Sequence, residues 1–546
     1  GQDRQYEARD NNDPTVECRH SGNGNGNSPL STRQQTRNDY HSHMFELILT
    51  GGPLAIEEVV EVARGGRPVS LCPAAAARVA AGRAIIDAAA DGVDPVYGIN
   101  TGFGSLSRHR VEPNETAEIQ RNLLRSHAAG VGEPLEAELV RAMMLLLSGS
   151  LARGHSGVRV AVIESLISLL NADITPIVPS KGSVGASGDL APLAHSALAM
   201  IGEGEVMLGD EGPMPASEAL QQTGVSSIAL AAKEGLALIN GTHLMAGTLA
   251  IACYDMDVLV HTAIGAAAMS LDACRGSAGP LDARIHAARN QPGQQRVAEL
   301  VRSYVAGSTI LEHHREGDPR VQDPYCLRCI PQVLGAVIDT LSHVRSVVSD
   351  ELGAVTDNPL VFRDPDVILS GGNFHGMPLA IAADTAKIAL CHIAGISERR
   401  VFWLLSGRDT ENPVPVYLSS CPGLHSGLMI AQYTAAALCN ELQVLATPAS
   451  VGNVPTSAGI EDYNSMGATS ARHLRESVTM VTQVVAIELM VAAEGIEHQR
   501  PLQSGDSVEK LHAAVRLLVP PLTGDRPPSY DIETIADGIT DSALLP

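Results

Sequence analysis

The chain has 546 residues and a formal net charge of −23, which argues against nucleic acid as a partner because phosphate is bound by basic patches. Hydrophobic residues make up 45% of the chain but aromatic residues only 3%, so we expect a core of Ala, Val, Leu and Ile. The nine cysteines are scattered and odd in number, which predicts a reducing, cytoplasmic compartment without a disulfide framework.

Residues 1–43 are rich in Asn, Gly, Ser and Gln, and they predict a disordered leader or a remnant of a cloning vector. Apolar residues then recur at helical spacing, and the Gly and Pro residues over 203–216 favour a small hairpin. The helices predicted in this first part of the chain are 55–64, 74–90, 117–124, 136–151 and 191–201.

Longer segments of helical periodicity follow, at 226–273, 294–307, 330–352, 378–405, 424–447 and 468–496. Helices of such length need packing partners along their whole span. We therefore predict a mainly α protein, with an N-terminal lobe over 44–225 and a long-helix bundle with C-terminal helices over 226–546. No uninterrupted apolar stretch reaches membrane-spanning length, because Asp255 and Asp257 interrupt 244–271, so a membrane partner is not expected.

The segment 181–195 contains the tripeptide Ala186, Ser187 and Gly188 among further glycines. If the amide nitrogen of Gly188 attacks the carbonyl carbon of Ala186, a five-membered ring closes. Loss of two waters then turns the Ser187 side chain into an exocyclic methylidene. Small residues suit such a loop because the backbone must fold back on itself. The alternative interpretation is a Gly/Ser-rich loop that binds phosphate at the start of a helix.

This segment resembles the signature of the aromatic amino-acid ammonia-lyases and aminomutases, which form the electrophile 4-methylideneimidazole-5-one (MIO) from Ala-Ser-Gly. Segments 97–104, 240–242, 322–328 and 371–378 resemble further motifs of that family, in the right order. The resemblance implies an ammonia-lyase/fumarase-like fold, in which a loop-rich N-terminal lobe carries the MIO ahead of a long central helical bundle. It also implies a homotetramer with shared active sites, an amino-acid substrate, and neither a diffusible cofactor nor a metal.

Elimination of ammonia from an α-amino acid requires an electrophile for the amine, a base for the β-proton and a clamp for the carboxylate. By resemblance, Ala186, Ser187 and Gly188 supply the electrophile, and Tyr97 is the base. Arg328 is the clamp, because guanidinium pairs with carboxylate through two parallel hydrogen bonds. The motifs also assign catalytic roles to Asn240 and Tyr325 and substrate contacts to Gln322 and Phe374.

Two places in the sequence bear on the choice of substrate. Ser126 and His127 resemble the selectivity pair of the histidine ammonia-lyases, and Glu461 stands where those enzymes have Glu. A carboxylate beside an imidazole accepts a hydrogen bond from its N–H, whereas a benzene ring has no N–H to donate. We therefore predict that the chain converts L-histidine to trans-urocanate and ammonia.

Other functions stay open at this point. Arg125, followed by Ser126 and His127, also resembles bacterial tyrosine aminomutases, while His243 and Ile330 replace residues familiar in histidine lyases. A 2,3-aminomutase of histidine or tyrosine, or a tyrosine or phenylalanine ammonia-lyase, would use the same scaffold. A catalytically silent binding protein with a phosphate-binding loop is the alternative from another class.

Overall fold

The computed structural model describes residues 45–92, 94–102, 104, 109–110 and 115–546. The chain from Phe45 to Pro546 forms one compact unit. The leader predicted over 1–43 lies outside the described residues, and the division into two lobes at residue 225 stays a prediction.

Helices dominate this unit, as the apolar periodicity predicts. In chain order the α-helices are α1 Ile56–Ala63, α2 Pro73–Ala90, α3 Thr116–His127, α4 Ala137–Leu151, α5 Val160–Asn171, α6 Leu190–Met200, α7 Ala216–Thr223, α8 Glu234–Ile239, α9 His243–Ala273, α10 Ala283–Arg289, α11 Pro292–Tyr304, α12 Thr309–His313, α13 Tyr325–Arg328, α14 Ile330–Glu351, α15 Met377–Leu405, α16 Met429–Leu445, α17 Gly467–Glu497, α18 Asp506–Leu518 and α19 Pro528–Thr540.

The strands are short and lie between the helices. They are β1 Leu47–Leu49, β2 Val69–Leu71, β3 Val131–Pro134, β4 Ile174–Pro176, β5 Pro179–Lys181, β6 Glu205–Leu208, β7 Met214–Pro215, β8 Leu360–Phe362 and β9 Val367–Leu369. β1 and β2 pair in parallel, whereas β3–β5, β4–β6–β7 and β8–β9 are antiparallel. The β6–β7 pair confirms the predicted hairpin. β5 ends at Lys181, where the loop with Ala186 begins, so the β3–β5 pair fixes one end of that loop.

Three long helices, α9, α15 and α17, pack together in the bundle. Nearly every residue of α17 from Val481 to Ile496 is buried, and α9 is buried on all sides over most of its length. Small residues permit this close approach. A Cβ added to Gly495 of α17 would lie 2.8 Å from a methyl of Leu404 and 3.0 Å from the Cβ of Ala273. The Ala-rich composition therefore sets the spacing of the long helices.

One buried charge pair joins these three helices. Arg400 of α15 donates through Nε and Nη2 to the two carboxylate oxygens of Glu488 in α17, at 2.5 and 2.8 Å. The hydroxyl of Ser270 in α9 donates to the same carboxylate at 2.6 Å, and that of Ser397 also donates to it. Removing one partner would leave an uncompensated charge in the core, so the pair favours one arrangement of the helices.

The helices α9, α15 and α17 are each long and apolar enough to cross a membrane, by length and composition only. This corrects the expectation that no segment reaches such a length. The shares of their most apolar windows that are buried inside the fold are 72%, 61% and 83%, respectively. Their apolar residues are therefore largely engaged in packing within the chain.

One predicted helix differs from the structure in a way that concerns the site. The segment predicted as one helix over 226–273 instead contains α8 and α9, separated by an irregular turn at 240–242. Gly241 in this turn has a φ of +133°, which is outside helical geometry. The apolar helix α5 was not predicted from the sequence.

Candidate active site

The loop that carries Ser187 is folded back on itself. Gly185 and Gly188 form an antiparallel bridge, and the intervening Ser187 has a φ of +54°, which non-glycine residues rarely adopt. Ala186 is buried. A strained backbone of this kind persists only where the surrounding structure holds it.

The turn between α8 and α9 supplies that support. The amide of Gly241 donates to the carbonyl oxygen of Ser187 at 3.2 Å, and the amide of Asp189 donates to the carbonyl oxygen of Gly241 at 2.7 Å. A Cβ on Gly188, whose φ is +82°, would lie only 2.0 Å from the Gly241 oxygen. The chain thus requires glycine at the position whose amide nitrogen would close the ring. These features fit a loop that can form MIO.

The carboxyl group of Asp189 fastens the loop to the start of α9. Its Oδ2 accepts hydrogen bonds from the amides of Leu244 and Met245, both at 3.0 Å. The side chain is fully buried, and burial raises the pKa of Asp189 to about 7 despite these bonds. Asp189 is therefore occupied in joining the loop to the bundle.

Ser187 opens into a cavity of about 400 Å³ that several predicted site residues line. The Ser187 hydroxyl donates to Oε1 of Glu461 at 3.2 Å, and the hydroxyl of Thr456 donates to Oε2 of the same carboxylate at 2.8 Å. The phenolic oxygen of Tyr97 accepts a hydrogen bond from the amide of Gly104 at 3.2 Å. The structure brings together five of the predicted residues in this cavity, namely Tyr97, Ala186, Ser187, Phe374 and Glu461.

Asn240 lies behind this cavity, next to the loop. Its amide nitrogen donates to the carbonyl oxygen of Asn358 at 3.0 Å and to Oδ1 of Asp357 at 3.4 Å. Its carbonyl oxygen is buried and has no hydrogen-bond partner among the described residues. Oδ2 of Asp357 in turn accepts from Nζ of Lys233 at 2.5 Å, and both of these side chains are almost wholly buried.

Sequence reasoning missed two features near the loop. The Lys233–Asp357 pair joins residues 124 positions apart. The one available signal was that the chain has only four lysines. The second feature is the buried environment of His243 at the start of α9, since the sequence singled out this residue only as a departure from the histidine lyases. Neither ring nitrogen of His243 has a hydrogen-bond partner among the described residues, and burial lowers its pKa to about 4.

Gln322, Tyr325 and Arg328 do not line the cavity at Ser187. They lie around α13, and Gln322 and Arg328 line a separate groove of about 1060 Å³. Arg328 donates through Nε to the carbonyl oxygen of Asp323 at 2.9 Å, and its guanidinium lies 4.4 Å from the centre of the Tyr325 ring. The Tyr325 side chain is 69% exposed. A single chain therefore keeps the predicted carboxylate clamp apart from the predicted electrophile.

Ser126 and His127 are likewise not among the residues that line this cavity. They end helix α3, where the Ser126 hydroxyl and Nδ1 of His127 both contact the carbonyl oxygen of Leu123, at 3.1 and 2.9 Å. Their contact with substrate stays a prediction. Within the described part of the chain, no group of three or more His, Cys, Asp or Glu side chains is arranged to hold a metal ion.

A family profile described as aromatic amino acid lyase matches residues 54–517. The chain belongs to the aromatic amino acid lyase family. This confirms the membership that the five motifs predicted. The histidine ammonia-lyase of Deinococcus radiodurans is 48% identical over 473 residues, which cover 87% of this chain and 90% of that protein. The histidine ammonia-lyase of Symbiobacterium thermophilum is 45% identical over 501 residues, covering 92% and 98% of the two chains.

Solved structures of family members have the same fold. A tyrosine aminomutase from Streptomyces globisporus superposes with a TM-score of 0.86 at 35% identity, covering 92% of this chain and 98% of that one. A histidine ammonia-lyase from Trypanosoma cruzi gives a TM-score of 0.85 at 38% identity, covering 92% and 94%. The mainly helical fold predicted for a member of the aromatic amino acid lyase family is thereby confirmed.

Proposed function

We propose that the chain is a histidine ammonia-lyase that eliminates ammonia from L-histidine to give trans-urocanate. The observation that carries this proposal is the folded-back loop at Ser187, which opens into a cavity where Glu461 is its side-chain partner. A carboxylate at this place suits the N–H of an imidazole. The relatives named histidine ammonia-lyase, at up to 48% identity, support the same substrate.

The group implied by the family is MIO, formed from Ala186, Ser187 and Gly188. It would be held on one side by the Gly241 amide. On the other side it would be held by the hydrogen bond that the Met466 amide donates to the carbonyl oxygen of Val184 at 2.9 Å. When formed, MIO supplies an electrophilic carbon that converts the substrate amine into a leaving group.

The side chains around the loop have roles that follow from their positions. Tyr97 takes the β-proton, and the hydrogen bond that its oxygen accepts from the Gly104 amide at 3.2 Å holds the phenol at the cavity. Glu461 orients the imidazole, and Phe374 contacts the flat ring of the substrate from the cavity wall. Asn240 lies next to the loop and has a buried carbonyl oxygen that lacks a donor among the described residues, which suits it to orient the ring formed by the loop.

The carboxylate clamp must come from a second copy of the chain. Gln322, Tyr325 and Arg328 lie at another cavity, and the exposed ring of Tyr325 offers an aromatic surface that a neighbouring subunit would cover. We therefore propose a homotetramer in which each active site takes residues from more than one subunit. The eight cysteines of the described residues are free, which supports a cytoplasmic enzyme.

An aminomutase is the second candidate. The tyrosine aminomutase structure at 35% identity favours it, together with the order Arg125, Ser126 and His127. A mutase returns the amine to the β-carbon and accumulates a β-amino acid, whereas a lyase accumulates the acrylate and free ammonia.

The deciding experiment incubates the purified protein separately with L-histidine, L-tyrosine and L-phenylalanine. Acrylate formation is followed by ultraviolet absorbance, ammonia release in parallel, and β-amino acids by chromatography. We expect urocanate and an equal amount of ammonia from histidine alone, and no turnover by Ser187→Ala. A β-amino acid product would establish the mutase instead. Turnover by Ser187→Ala would refute the electrophile, and no product from any of the three would favour a binding protein.

A further inference from the structure

The hydroxyl group that must leave Ser187 already has a side-chain partner. In the unmodified chain it donates to Oε1 of Glu461 at 3.2 Å. The other oxygen of that carboxylate is held at 2.8 Å by the hydroxyl of Thr456. The backbones of Thr456 and Glu461 also form an antiparallel bridge, so the Glu461 side chain extends from a segment that is held in place. Glu461 is thus presented to Ser187 before any substrate arrives.

The carboxyl group nearest to Ser187 along the sequence belongs to Asp189, and it is hydrogen-bonded to other groups. Asp189 directs Oδ2 to the amides of Leu244 and Met245, and its Oδ1 lies 3.4 Å from the hydroxyl of Ser183. Of the two carboxyl groups, Glu461 is therefore the one that contacts the reacting side chain.

Maturation of the loop removes two waters. The first contains the carbonyl oxygen of Ala186 and the amide hydrogens of Gly188 and Ser187, and it leaves when the ring closes. The second requires loss of the Ser187 Cα proton and of the Ser187 hydroxyl. A hydroxide ion is a poor leaving group, so this step needs a base for the Cα proton and an acid for the departing oxygen.

We infer that Glu461 is the proton carrier in this second dehydration, so that the carboxylate proposed to bind substrate first acts on its own chain. Oε1 takes the Cα proton of Ser187, and the electrons of the broken C–H bond form the Cα–Cβ double bond. The Cβ–Oγ bond breaks, and Oγ leaves with its own hydrogen and the proton returned by Glu461, as water. Glu461 ends as the carboxylate it was at the start. This inference rests on the proposed formation of MIO.

The test follows maturation of the newly made full-length chain in a cell-free translation reaction, by intact mass over time. The readout is the fraction of chains that have lost two waters, which is independent of any substrate. Glu461→Gln keeps the size and a hydrogen-bond acceptor but cannot carry the proton. A positioned general acid–base contributes about 10²–10⁴-fold, so we expect Glu461→Gln to mature at least about tenfold more slowly than the original chain. Asp462→Asn, the same change at the exposed neighbouring residue, serves as the matched control and matures at the original rate.

A second variant separates proton transfer from folding. Glu461→Ala leaves space beside Ser187, and added formate then supplies a small carboxylate. We expect formate to raise the maturation rate of Glu461→Ala and to leave that of the original chain unchanged, with helix content checked by circular dichroism. Equal rates for the original chain, Glu461→Gln and Glu461→Ala without formate would overturn the inference. If the original chain itself never loses two waters, the proposed electrophile fails, which is a different result.

Discussion

At the scale of single residues, the Lys233–Asp357 pair orients the amide of Asn240. Both side chains are almost wholly buried, and their contact is 2.5 Å. Asp357 also accepts a hydrogen bond from the side-chain amide nitrogen of Asn240, so the carbonyl oxygen of Asn240 points away from the pair. A buried pair of this type contributes little net stability, but breaking it leaves one charge uncompensated.

We therefore expect Lys233→Met to lower the free energy of unfolding by about 3–5 kcal/mol, measured by urea titration followed by circular dichroism. Lys510→Met, at an exposed lysine, should change it by no more than about 0.5 kcal/mol. The double variant Lys233→Met with Asp357→Leu should recover part of the loss, because no charge remains buried. Equal stability of Lys233→Met and Lys510→Met would contradict the assignment.

A second residue-scale prediction concerns pH. Asp272 at the end of α9 accepts a hydrogen bond from the Ser308 hydroxyl at 2.8 Å, and burial raises its pKa to about 7. The folded chain thus keeps a proton that the unfolded chain loses near pH 4, so this contribution to stability is present at low pH and disappears as the pH rises through 7.

Between pH 5 and pH 8, the original chain should lose about 2.5 kcal/mol of unfolding free energy relative to Asp272→Asn, which does not ionise. Urea titrations of both proteins at the two pH values measure the difference. The exposed Asp366→Asn provides the comparison and should follow the original chain at both pH values. A gap between the original chain and Asp272→Asn that is the same at pH 5 and pH 8 would be evidence against the raised pKa.

The sequence could predict those residues that stand in recognisable motifs. Tyr97, Phe374 and Glu461 lie far apart along the chain, yet the structure brings them to one cavity with Ser187. Lys233 and Asp357 could not be predicted, because their pairing depends on how the turn before α8 meets the segment before β8. Residue type and spacing along the chain do not encode that meeting.

At the scale of elements, the decisive feature is the interruption between α8 and α9. Apolar periodicity alone predicted a continuous helix there, because the residues on both sides of the turn are buried. The turn instead exposes the Gly241 amide and carbonyl group to the Ser187 loop. Periodicity reports which residues are buried, but it does not report where a backbone must leave helical geometry to bind another segment.

Replacing Gly241 should therefore disable the loop without unfolding the bundle. A Cβ at Gly241 would lie 2.5 Å from Cε1 of His243 and 2.6 Å from the hydroxyl oxygen of Thr356, so the turn would have to move. We expect Gly241→Ala to abolish the loss of two waters and all turnover, with helix content retained. Intact mass and circular dichroism measure these results.

Gly224→Ala is the matched control for that variant. Gly224 also has a positive φ, +72°, but nothing lies within 4 Å of an added Cβ. The change should lower the free energy of unfolding by only the roughly 1–2 kcal/mol of left-handed backbone strain. The chain should still lose two waters. If Gly241→Ala matured as Gly224→Ala does, the turn would not be the support of the loop.

At the scale of the whole molecule, the groups predicted to be catalytic are divided between two places on each chain. Tyr97, Ser187 and Glu461 share one cavity, whereas Tyr325 and Arg328 lie at another. The sequence predicted a shared active site through family resemblance alone. Charge, periodicity and composition say nothing about which residues of one subunit reach the next, because that depends on the assembled surfaces.

Co-expression of two inactive variants tests the division. Mixed oligomers of Ser187→Ala and Arg328→Ala should regain histidine turnover well above that of either variant alone, because some sites receive an intact residue from each chain. Mixed oligomers of Ser187→Ala and Tyr97→Phe should not, since both residues line the same cavity of one chain. Recovery in neither mixture would mean that each chain completes its own site.

The Arg400–Glu488 pair has a consequence for how this protein can change over evolutionary time. The carboxylate of Glu488 in α17 accepts hydrogen bonds from donors on two other helices, α9 and α15. A mutation at any one of these positions leaves the other partners with a buried charge or an unmet hydrogen bond, so it is selected against unless a compensating mutation accompanies it. The three positions should therefore change together, and lineages that replace Glu488 should carry matching replacements at Arg400 and Ser270.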